Sequence, residues 1–326
     1  MPRNAKSTET GTDTELVVYD HYVGGREVKP SSGCYIKSEN PYTGQPWAKI
    51  ARGNAIDVEI AVKAALEGFR RWTATKAANR ARLMLKLADL VEANAKFLGE
   101  IEVRDNGKLF AEMHAQMRYV AEWFRYFAGL CDKLEGSVIA TDKDNIFNFT
   151  RHEPLGVIGM ITPWNSPLLL LTWKLAPAIA GGNVAVIKPS EFTSASTIEL
   201  ARLFTKAGFP DGVVNVVTGL GEEAGAALVD HRDIAKIAFT GSDIAGQKIY
   251  EAAAKTIKPV SLELGGKSPN IVFEDADIEA AVMGAISGIF AASGQTCIAG
   301  SRLLLQNSIH DRFMDRLVSV ASRASS

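Results

Sequence analysis

One cysteine stands apart from the other residues of this sequence. Cys297 lies in the segment ASGQTCIAGSR (292–302), among small residues and directly after an apolar, helix-like run. A cysteine kept for packing usually lies within an apolar face, as we expect for Cys131, whereas Cys34 is predicted to be an ordinary loop residue. A nucleophilic cysteine instead needs room for a substrate and nearby groups that set its protonation. The surroundings of Cys297 therefore raise the question of thiol chemistry.

The second half of the chain predicts a sheet that could position such a site. Helix-like segments lie near 167–181, 194–207, 222–230 and 242–255. They alternate with five short apolar runs, LGVIGMI (155–161), NVAVIK (183–188), VVNVV (213–217), IAKIAF (234–239) and PVSLEL (259–264). Buried strands alternating with helices predict a parallel, doubly wound sheet. Such sheets bind ligands beyond the carboxyl ends of their strands.

Four polar side chains follow these strands. Asn165 can present an amide donor, although a turn or capping role is common for Asn between prolines. Lys188 can donate to sugar or phosphate oxygens, and Glu191 can accept from ribose hydroxyls, which suits NAD and opposes the extra phosphate of NADP. The alternative interpretation of Lys188 and Glu191 is that both are solvated residues near the start of a helix. Glu263 could be a buried general base or a salt-bridged or solvent-facing residue at a strand end.

Glycines and one serine follow two of the strands. Gly219, Gly221 and Gly225 approximate a dinucleotide fingerprint, but the last gap is one residue too long, and such a match alone is weak. Gly241 allows a close approach of the backbone. Ser242 can begin a helix whose free N–H groups face an anion, or serve only as an N-cap.

The remaining segments predict further elements. Amphipathic helices are expected over 57–73, capped by Asp57, over 80–103 and over about 109–131, the last with Cys131 on its apolar stripe. The segment 136–154 predicts two strands joined by a polar turn. A strand is expected at 269–273, followed by a helix at about 277–291.

Composition excludes several classes of protein. The 326 residues suggest about two domains, and 47% apolar with 22% charged residues is typical of a soluble globular protein. A net charge of −1 gives no electrostatic basis for binding nucleic acid or an anionic membrane. The cysteines lack paired spacing, which fits a reducing, cytoplasmic setting, and without CxxC or HxxxH pairs a metal site has little support. The longest apolar stretch is interrupted by Lys174 and Pro177 and is too short to span a bilayer.

In their order along the chain, TPWNSP, KPSEFT, FTGS, ELGGKSPN and GQTCIAGSR resemble signatures of the aldehyde dehydrogenase superfamily, and ENPYTGQ and VRDNGK fit its amino-terminal third. The resemblance covers roughly residues 17–325. It implies an α/β fold with a Rossmann-like, parallel, doubly wound cofactor domain, a small β-hairpin oligomerisation element and the start of a second α/β catalytic domain. The implied ranges are 1–16 for a disordered tail, 17–133 with 152–263 for the NAD-binding domain, 134–151 for the hairpin and 264–326 for the catalytic segment.

The resemblance also implies a role for each matching residue. Cys297 would be the nucleophile, Asn165 and the Cys297 backbone N–H the oxyanion donors, and Glu263 the general base. The implied cofactor contacts are Trp164, Lys188, Glu191, Gly221, Gly241, Ser242, Gly246 and Leu264. The implied tunnel for a medium-sized aliphatic or aromatic aldehyde is formed by Ser166, Leu170, Trp173, Thr296 and Ile298, with Ser166 at a position where many relatives carry a bulky aromatic residue.

The expected reaction is NAD-dependent oxidation of an aldehyde to a carboxylic acid through a thiohemiacetal and a thioester. One alternative is a CoA-acylating semialdehyde dehydrogenase, which the complete ELGGKSPN motif opposes. Another is a non-catalytic remnant with residual nucleotide binding, because the chain ends about 30 residues past Cys297 whereas family members are usually longer. We accordingly expect the isolated chain to be inactive or nearly so, with one apolar face of helix 277–291 exposed (Ile278, Val282, Ile286 and Phe290), and the full-length protein to be a homodimer or homotetramer.

Overall fold

The computed structural model describes residues 16–323. Residues 1–15 of the predicted tail and residues 324–326 of the predicted catalytic segment lie outside the described residues. Within the described range, no helix combines the length and apolar character needed to cross a membrane.

Ten α-helices and fourteen strands make up the described part of the chain. The helices are α1 (Ala55–Ala74), α2 (Ala77–Ala93), α3 (Ala95–Asn106), α4 (Phe110–Ala128), α5 (Pro167–Ala180), α6 (Ala195–Ala207), α7 (Ala226–Asp230), α8 (Asp243–Ala254), α9 (Ile278–Phe290) and α10 (His310–Ala321). The strands of the first half are β1 (Val17–Tyr19), β2 (His21–Val23), β3 (Arg26–Val28), β4 (Tyr35–Asn40), β5 (Gln45–Ala51), β6 (Val138–Ile139) and β7 (Asn148–Phe149). Those of the second half are β8 (Val157–Ile161), β9 (Val184–Lys188), β10 (Val214–Val216), β11 (Ile234–Thr240), β12 (Val260–Glu263), β13 (Pro269–Val272) and β14 (Arg302–Leu305).

The main sheet has seven strands in the order β12-β11-β8-β9-β10-β2-β3. The first five are mutually parallel, and they are the five strands that the sequence predicts. Every residue of β8 and β9 is buried, since helices cover both faces of a parallel sheet. The predicted α/β fold with a Rossmann-like sheet is thus confirmed. The antiparallel pair β2–β3 on the far edge was not predicted, nor was the separate sheet β1-β5-β4.

The amino-terminal helices differ from the prediction at their ends. The cap of α1 is Asn54, and Asp57 is the third helical residue, whose carboxylate accepts the Asn54 backbone N–H at 3.0 Å in a reciprocal capping box. The single helix predicted over 80–103 is wrong. It breaks at Asn94, which leaves helical geometry with its side-chain amide donating to the Leu90 carbonyl at 2.7 Å. Cys131 lies beyond the end of α4, yet it is buried, as expected of a core residue.

The predicted hairpin is present, but β6 and β7 pair over only two residues each. Phe147 and Phe149 on this hairpin are exposed, and their rings lie 5.7 Å apart. The two strands are therefore shorter than their apolar residues suggest, and residues 16–323 leave their side chains uncovered.

A second hydrophobic core lies in the carboxyl-terminal segment. Strands β13 and β14 pair in parallel, and α9 and α10 pack together. Val282 and Phe313 are among the residues buried between these elements. The expected exposure of one α9 face is therefore wrong for Ile278 and Val282, which are buried, and for Ile286, which packs partly against this core. Only Phe290, at the end of the helix, is exposed as expected.

Candidate active site

A cavity of about 780 Å³ lies at the carboxyl ends of the parallel strands. It gathers residues that are far apart in the sequence, because β8, β9, β11 and β12 all end at this edge. The predicted site residues that line it are Trp164, Asn165, Leu170, Lys188, Glu191, Gly221, Gly241, Ser242, Leu264, Thr296 and Cys297. The cavity therefore brings the predicted thiol and most of the predicted cofactor residues around one space.

The loop before Cys297 has an unusual backbone. Ala292, Ser293 and Gly294 take positive φ angles of 55°, 55° and 71°. A non-glycine residue in this left-handed region costs roughly 1–2 kcal/mol, and a bulky or branched side chain would cost more. The small residues before Cys297 thus fit this backbone conformation and also leave space in the cavity. The Cys297 thiol is half-buried and lies at the cavity wall.

Asn165 is tied directly to the Cys297 loop. Its side-chain Nδ2 donates to the Gln295 carbonyl at 2.8 Å, which leaves the second amide hydrogen for another acceptor. Within residues 16–323 no hydrogen-bond partner takes the Cys297 backbone N–H. Two uncommitted N–H donors, one from each residue, are thus available at this wall.

Glu263 differs from the buried carboxylate that one interpretation required. It is the last residue of the edge strand β12, and its side chain is exposed. It does not line the cavity itself, whereas the next residues, Leu264–Lys267, do. An exposed carboxylate has direct access to water, which a general base for hydrolysis must reach.

Lys174 of α5 connects the thiol and the carboxylate electrostatically. Its Nζ donates to Thr240 Oγ1 and to the Leu170 carbonyl, the latter at 3.3 Å. Burial lowers the pKa of Lys174 to about 8, while the charges of Glu263 and Cys297 act in the opposite direction. An ammonium therefore sits within electrostatic range of both chemical groups.

Lys188 and Glu191 form a short ion pair, with Nζ and Oε2 2.8 Å apart. Burial lowers the pKa of Lys188, and Glu191 partly offsets that shift. Burial would raise the pKa of Glu191, but Lys188 and backbone N–H groups outweigh it and hold the pKa below its usual range. The pair is therefore a built part of the cavity wall, with Lys188 keeping further N–H donors.

Close packing explains two of the predicted glycines. A Cβ on Gly241 would lie 2.4 Å from the Phe239 ring, and a Cβ on Gly246 would lie 2.8 Å from Leu264 Cδ2. Ser242 caps α8 by accepting the Ala245 N–H at 3.3 Å, so its N-cap role is present. Gly246 does not line the cavity; it lets α8 approach Leu264.

A second cavity of about 580 Å³ adjoins the first and shares Gly221 and Ser242 with it. This cavity lies between α7 and α8. The π-helical turn Gly221–Gly225, which directly precedes α7, also forms part of its wall. Its lining is largely apolar, with Val229, Ile244 and Ile249 among its walls. A flat, apolar ring would suit this slot.

The remaining predicted tunnel residues are in different surroundings. Trp173 is exposed on α5 and packs edge-on to Trp123 of α4, with ring centroids 6.0 Å apart. Ile298 is 76% exposed. Ser166, in contrast, is buried, and its Oγ is contacted by Lys108 and Gln116.

The aldehyde dehydrogenase family model matches residues 28–325. The chain belongs to the aldehyde dehydrogenase family. An aldehyde dehydrogenase of Aspergillus niger is 46% identical over 298 residues, which are 91% of this chain and 60% of that protein. A (Z)-2-((N-methylformamido)methylene)-5-hydroxybutyrolactone dehydrogenase of Acinetobacter baylyi is 48% identical over 298 residues, 91% of this chain and 61% of that protein.

Among solved structures, an NAD⁺ complex of aldehyde dehydrogenase from Bacillus cereus superposes with a TM-score of 0.92 at 42% identity. The match covers 94% of this chain and 63% of that structure. The chain thus spans about 60% of the length of the curated relatives that it matches.

Sequence reasoning overlooked Lys174 as part of the site of this family member. It treated this residue only as an interruption of an apolar stretch. A signal was nevertheless present, because a single lysine inside the otherwise apolar run PLLLLTWKLAPAIA must find a polar partner or pay a desolvation penalty. Its partner, Thr240, lies 66 residues away in the sequence, so only the fold identifies the contact.

Proposed function

We propose that this chain carries the cofactor and thiol site of an NAD-dependent aldehyde dehydrogenase that oxidises an aldehyde to a carboxylic acid. The observation that carries the proposal is the shared cavity, which Cys297, Asn165, Lys188 and Glu191 all line. A thiol beside amide donors suits addition to a carbonyl. The neighbouring ion pair and helix start suit a dinucleotide.

The first step is proposed to be attack of the Cys297 thiolate on the aldehyde carbon. A C–S bond forms, the C=O π electrons move to oxygen, and the resulting alkoxide accepts hydrogen bonds from Asn165 Nδ2 and the Cys297 backbone N–H. Tying Asn165 to the Gln295 carbonyl fixes one donor relative to the nucleophile. Such preorganised donors lower the barrier because they need no reorientation as the charge develops.

The donor set fits NAD. Lys188 and Glu191 can bind the two hydroxyls of the adenosine ribose, the helix start at Gly241–Ser242 can face the pyrophosphate, and the apolar slot between α7 and α8 can hold the adenine. NAD, when bound, would supply the hydride acceptor for the aldehyde carbon. The carboxylate of Glu191 supports a preference for NAD over NADP, because it would lie against a 2′-phosphate.

Hydrolysis of the acyl group is assigned to Glu263. Its exposed carboxylate can take a proton from water, whose oxygen then adds to the thioester carbon and displaces the Cys297 thiolate. Lys174 would stabilise the negative charges at the thiol and the carboxylate, since both influence its titration. Asn165 therefore assists formation of the carbon–sulfur bond, and Glu263 assists its cleavage by water.

The domain division and the assembly are part of the same proposal. Two separate hydrophobic cores support a cofactor domain and a distinct catalytic segment that starts at about residue 264. The exposed apolar side chains of the β6–β7 hairpin, including Phe147 and Phe149, support its role in a homodimer or homotetramer.

The test measures NAD binding by calorimetry and aldehyde-dependent NADH formation, with and without CoA. Cys297→Ser is expected to abolish NADH formation while NAD affinity stays within about threefold, and Cys34→Ser serves as the matched control at an exposed cysteine. NADH formation that requires CoA would favour the acylating alternative, and NAD binding with no turnover the non-catalytic one. Substantial activity in Cys297→Ser would show that Cys297 is not the nucleophile.

A further inference from the structure

The residue at the start of α5 has an unusual hydrogen-bond arrangement. Ser166 occupies the N-cap position, but its side chain makes no capping hydrogen bond. The carboxylate of Glu102 takes that role instead, because its Oε1 accepts the Leu168 backbone N–H at 2.9 Å. Serine at an N-cap normally accepts such an N–H, so the Ser166 hydroxyl is released for another purpose.

Two donors approach that hydroxyl from behind. Lys108 Nζ lies 3.2 Å and Gln116 Nε2 lies 3.4 Å from Ser166 Oγ. Lys108 is only 2% exposed, and although the charges of Glu102 and Glu112 act on its Nζ, neither carboxylate forms an ion pair with it in the described range 16–323. Ser166 is itself 8% exposed. Lys108 and Ser166 are buried and Gln116 is half-buried, and together the three side chains form a polar cluster, Lys108–Ser166–Gln116, that contains no carboxylate.

This cluster has more donors than acceptors. When Gln116 donates to Ser166, both lone pairs of Oγ are used, and the Ser166 proton has no acceptor among the described residues; Gln116 Oε1 is also unpartnered. If the amide is turned over, Ser166 can donate to Gln116 Oε1, but the two amide hydrogens are then left without a partner. Because lysine only donates and an amide carries two N–H groups, at least one donor is unused in either arrangement. A buried donor without a partner is destabilising, and an acceptor on a ligand would recover that loss.

The position of the cluster indicates which ligand that is. Ser166 does not itself line the cavity, but its chain neighbour Asn165 and Leu170, one helical turn further on, both line it together with Cys297. On the other side, Glu112 of α4, one turn before Gln116, accepts the Ala292 N–H at 3.1 Å in the segment that leads to Cys297. The cluster therefore adjoins the corner in which the aldehyde carbon would be attacked.

We propose that the Lys108–Ser166–Gln116 cluster selects aldehydes with a hydroxyl or ether oxygen on the carbon next to the carbonyl, and that Ser166 donates to this oxygen. The inference rests on the proposed function and narrows its substrate to α-oxygenated aldehydes. Ser166 then supplies a polar contact at a position where many relatives carry a bulky aromatic residue.

The test compares isosteric pairs of aldehydes in the full chain, glycolaldehyde against propanal and lactaldehyde against isobutyraldehyde. The ratio of kcat/KM within each pair is expected to favour the oxygenated aldehyde, and Ser166→Ala should lower that ratio about tenfold. Comparing variants on the same pair cancels differences in aldehyde hydration. Thr172→Val is the matched control, since it removes another buried hydroxyl of α5, which bonds only to the Leu168 carbonyl at 2.8 Å, and it should leave the ratio unchanged.

A second measurement keeps this inference separable from the proposed function. The concentration of each aldehyde that protects Cys297 from alkylation by iodoacetamide is read by mass spectrometry, and it requires no turnover. Protection at lower concentrations of glycolaldehyde than of propanal, lost in Ser166→Ala, would support the cluster even if no NADH formed. Equal ratios and equal protection in the unmodified chain and in Ser166→Ala would overturn it.

Discussion

Replacing Glu191 by Gln tests how the cofactor wall discriminates between NAD and NADP. Glu191 is held by Lys188 at 2.8 Å, and the lowered pKa of its carboxyl keeps it charged at neutral pH. Gln keeps the size and one acceptor oxygen but removes the charge. The substitution should therefore weaken binding of NAD, whose ribose hydroxyl loses a charged acceptor, and strengthen binding of NADP.

The magnitude follows from charge and exposure. Two unit charges about 5 Å apart repel by about 3 kcal/mol at an effective dielectric constant of about 20. The Glu191 side chain is 28% exposed and is partly neutralised by Lys188, so we take about half of that value, which is roughly tenfold in the NADP dissociation constant. Loss of a charged hydrogen bond to the ribose costs NAD about 1.5 kcal/mol, again roughly tenfold. The ratio of the two affinities should change about 100-fold.

Isothermal titration calorimetry of both cofactors on the unmodified chain and on Glu191→Gln gives this ratio without any need for turnover. Glu251→Gln is the matched control, since it removes one exposed carboxylate of α8 that lines neither cavity, and its ratio should stay within about twofold. A change below about threefold in Glu191→Gln would refute the placement of this carboxylate beside the ribose.

Three further predictions address the reaction and its support. Asn165→Ala should lower the rate of NADH formation by about 100- to 1,000-fold with NAD affinity unchanged by calorimetry; a loss of affinity of the same size would instead indicate a collapsed cavity. Lys174→Met should slow alkylation of Cys297 at pH 7, because it removes an ammonium that acts electrostatically on the thiol, and the difference should shrink above pH 8, where Lys174, with a pKa of about 8, loses its charge in the unmodified chain as well; a gap independent of pH would exclude a charge effect. Burial raises the pKa of Glu102 from 4.5 to about 7, so the folded chain binds this proton more tightly than the unfolded chain and loses stability as pH rises between these values. Glu102→Gln should therefore gain up to about 3 kcal/mol relative to the unmodified chain between pH 5 and pH 8 in urea denaturation, and a constant difference would contradict the raised pKa.

The parallel sheet was predictable because its strands are buried on both faces. Continuous apolar runs such as VAVI in β9 are typical of strands that are covered on both faces. Their carboxyl ends then gave the positions of Asn165, Lys188 and Gly241 without any knowledge of contacts. The first strands escaped prediction since they lie at edges and in a small sheet, where β1 and β3 each expose two residues and the apolar pattern is weak.

Positions that depend on local geometry were less predictable. The break at Asn94 follows from one residue leaving helical geometry, which an apolar pattern continuing on both sides conceals. The exposure of Glu263 follows from β12 being the edge of the sheet. An edge strand and a central strand can carry the same residues, so the sequence did not decide between a buried and a solvent-facing carboxylate.

The support of the site was not predictable from spacing, because it is built from pairs distant in the chain. Glu102 caps α5 by accepting the N–H of Leu168, which lies 66 positions later in the sequence. Lys108 contacts Ser166, which lies 58 positions later. In the sequence Glu102 directly precedes VRDNGK and Lys108 is its last residue, and this segment marked a family resemblance without an assigned chemical task. The fold gives them one: by capping α5 with a carboxylate from α3, it frees the serine that follows the proposed oxyanion donor. A buried acid and a buried lysine six residues apart, neither with a local partner, therefore indicate a polar contact elsewhere in the fold, and here that contact lies beside the thiol.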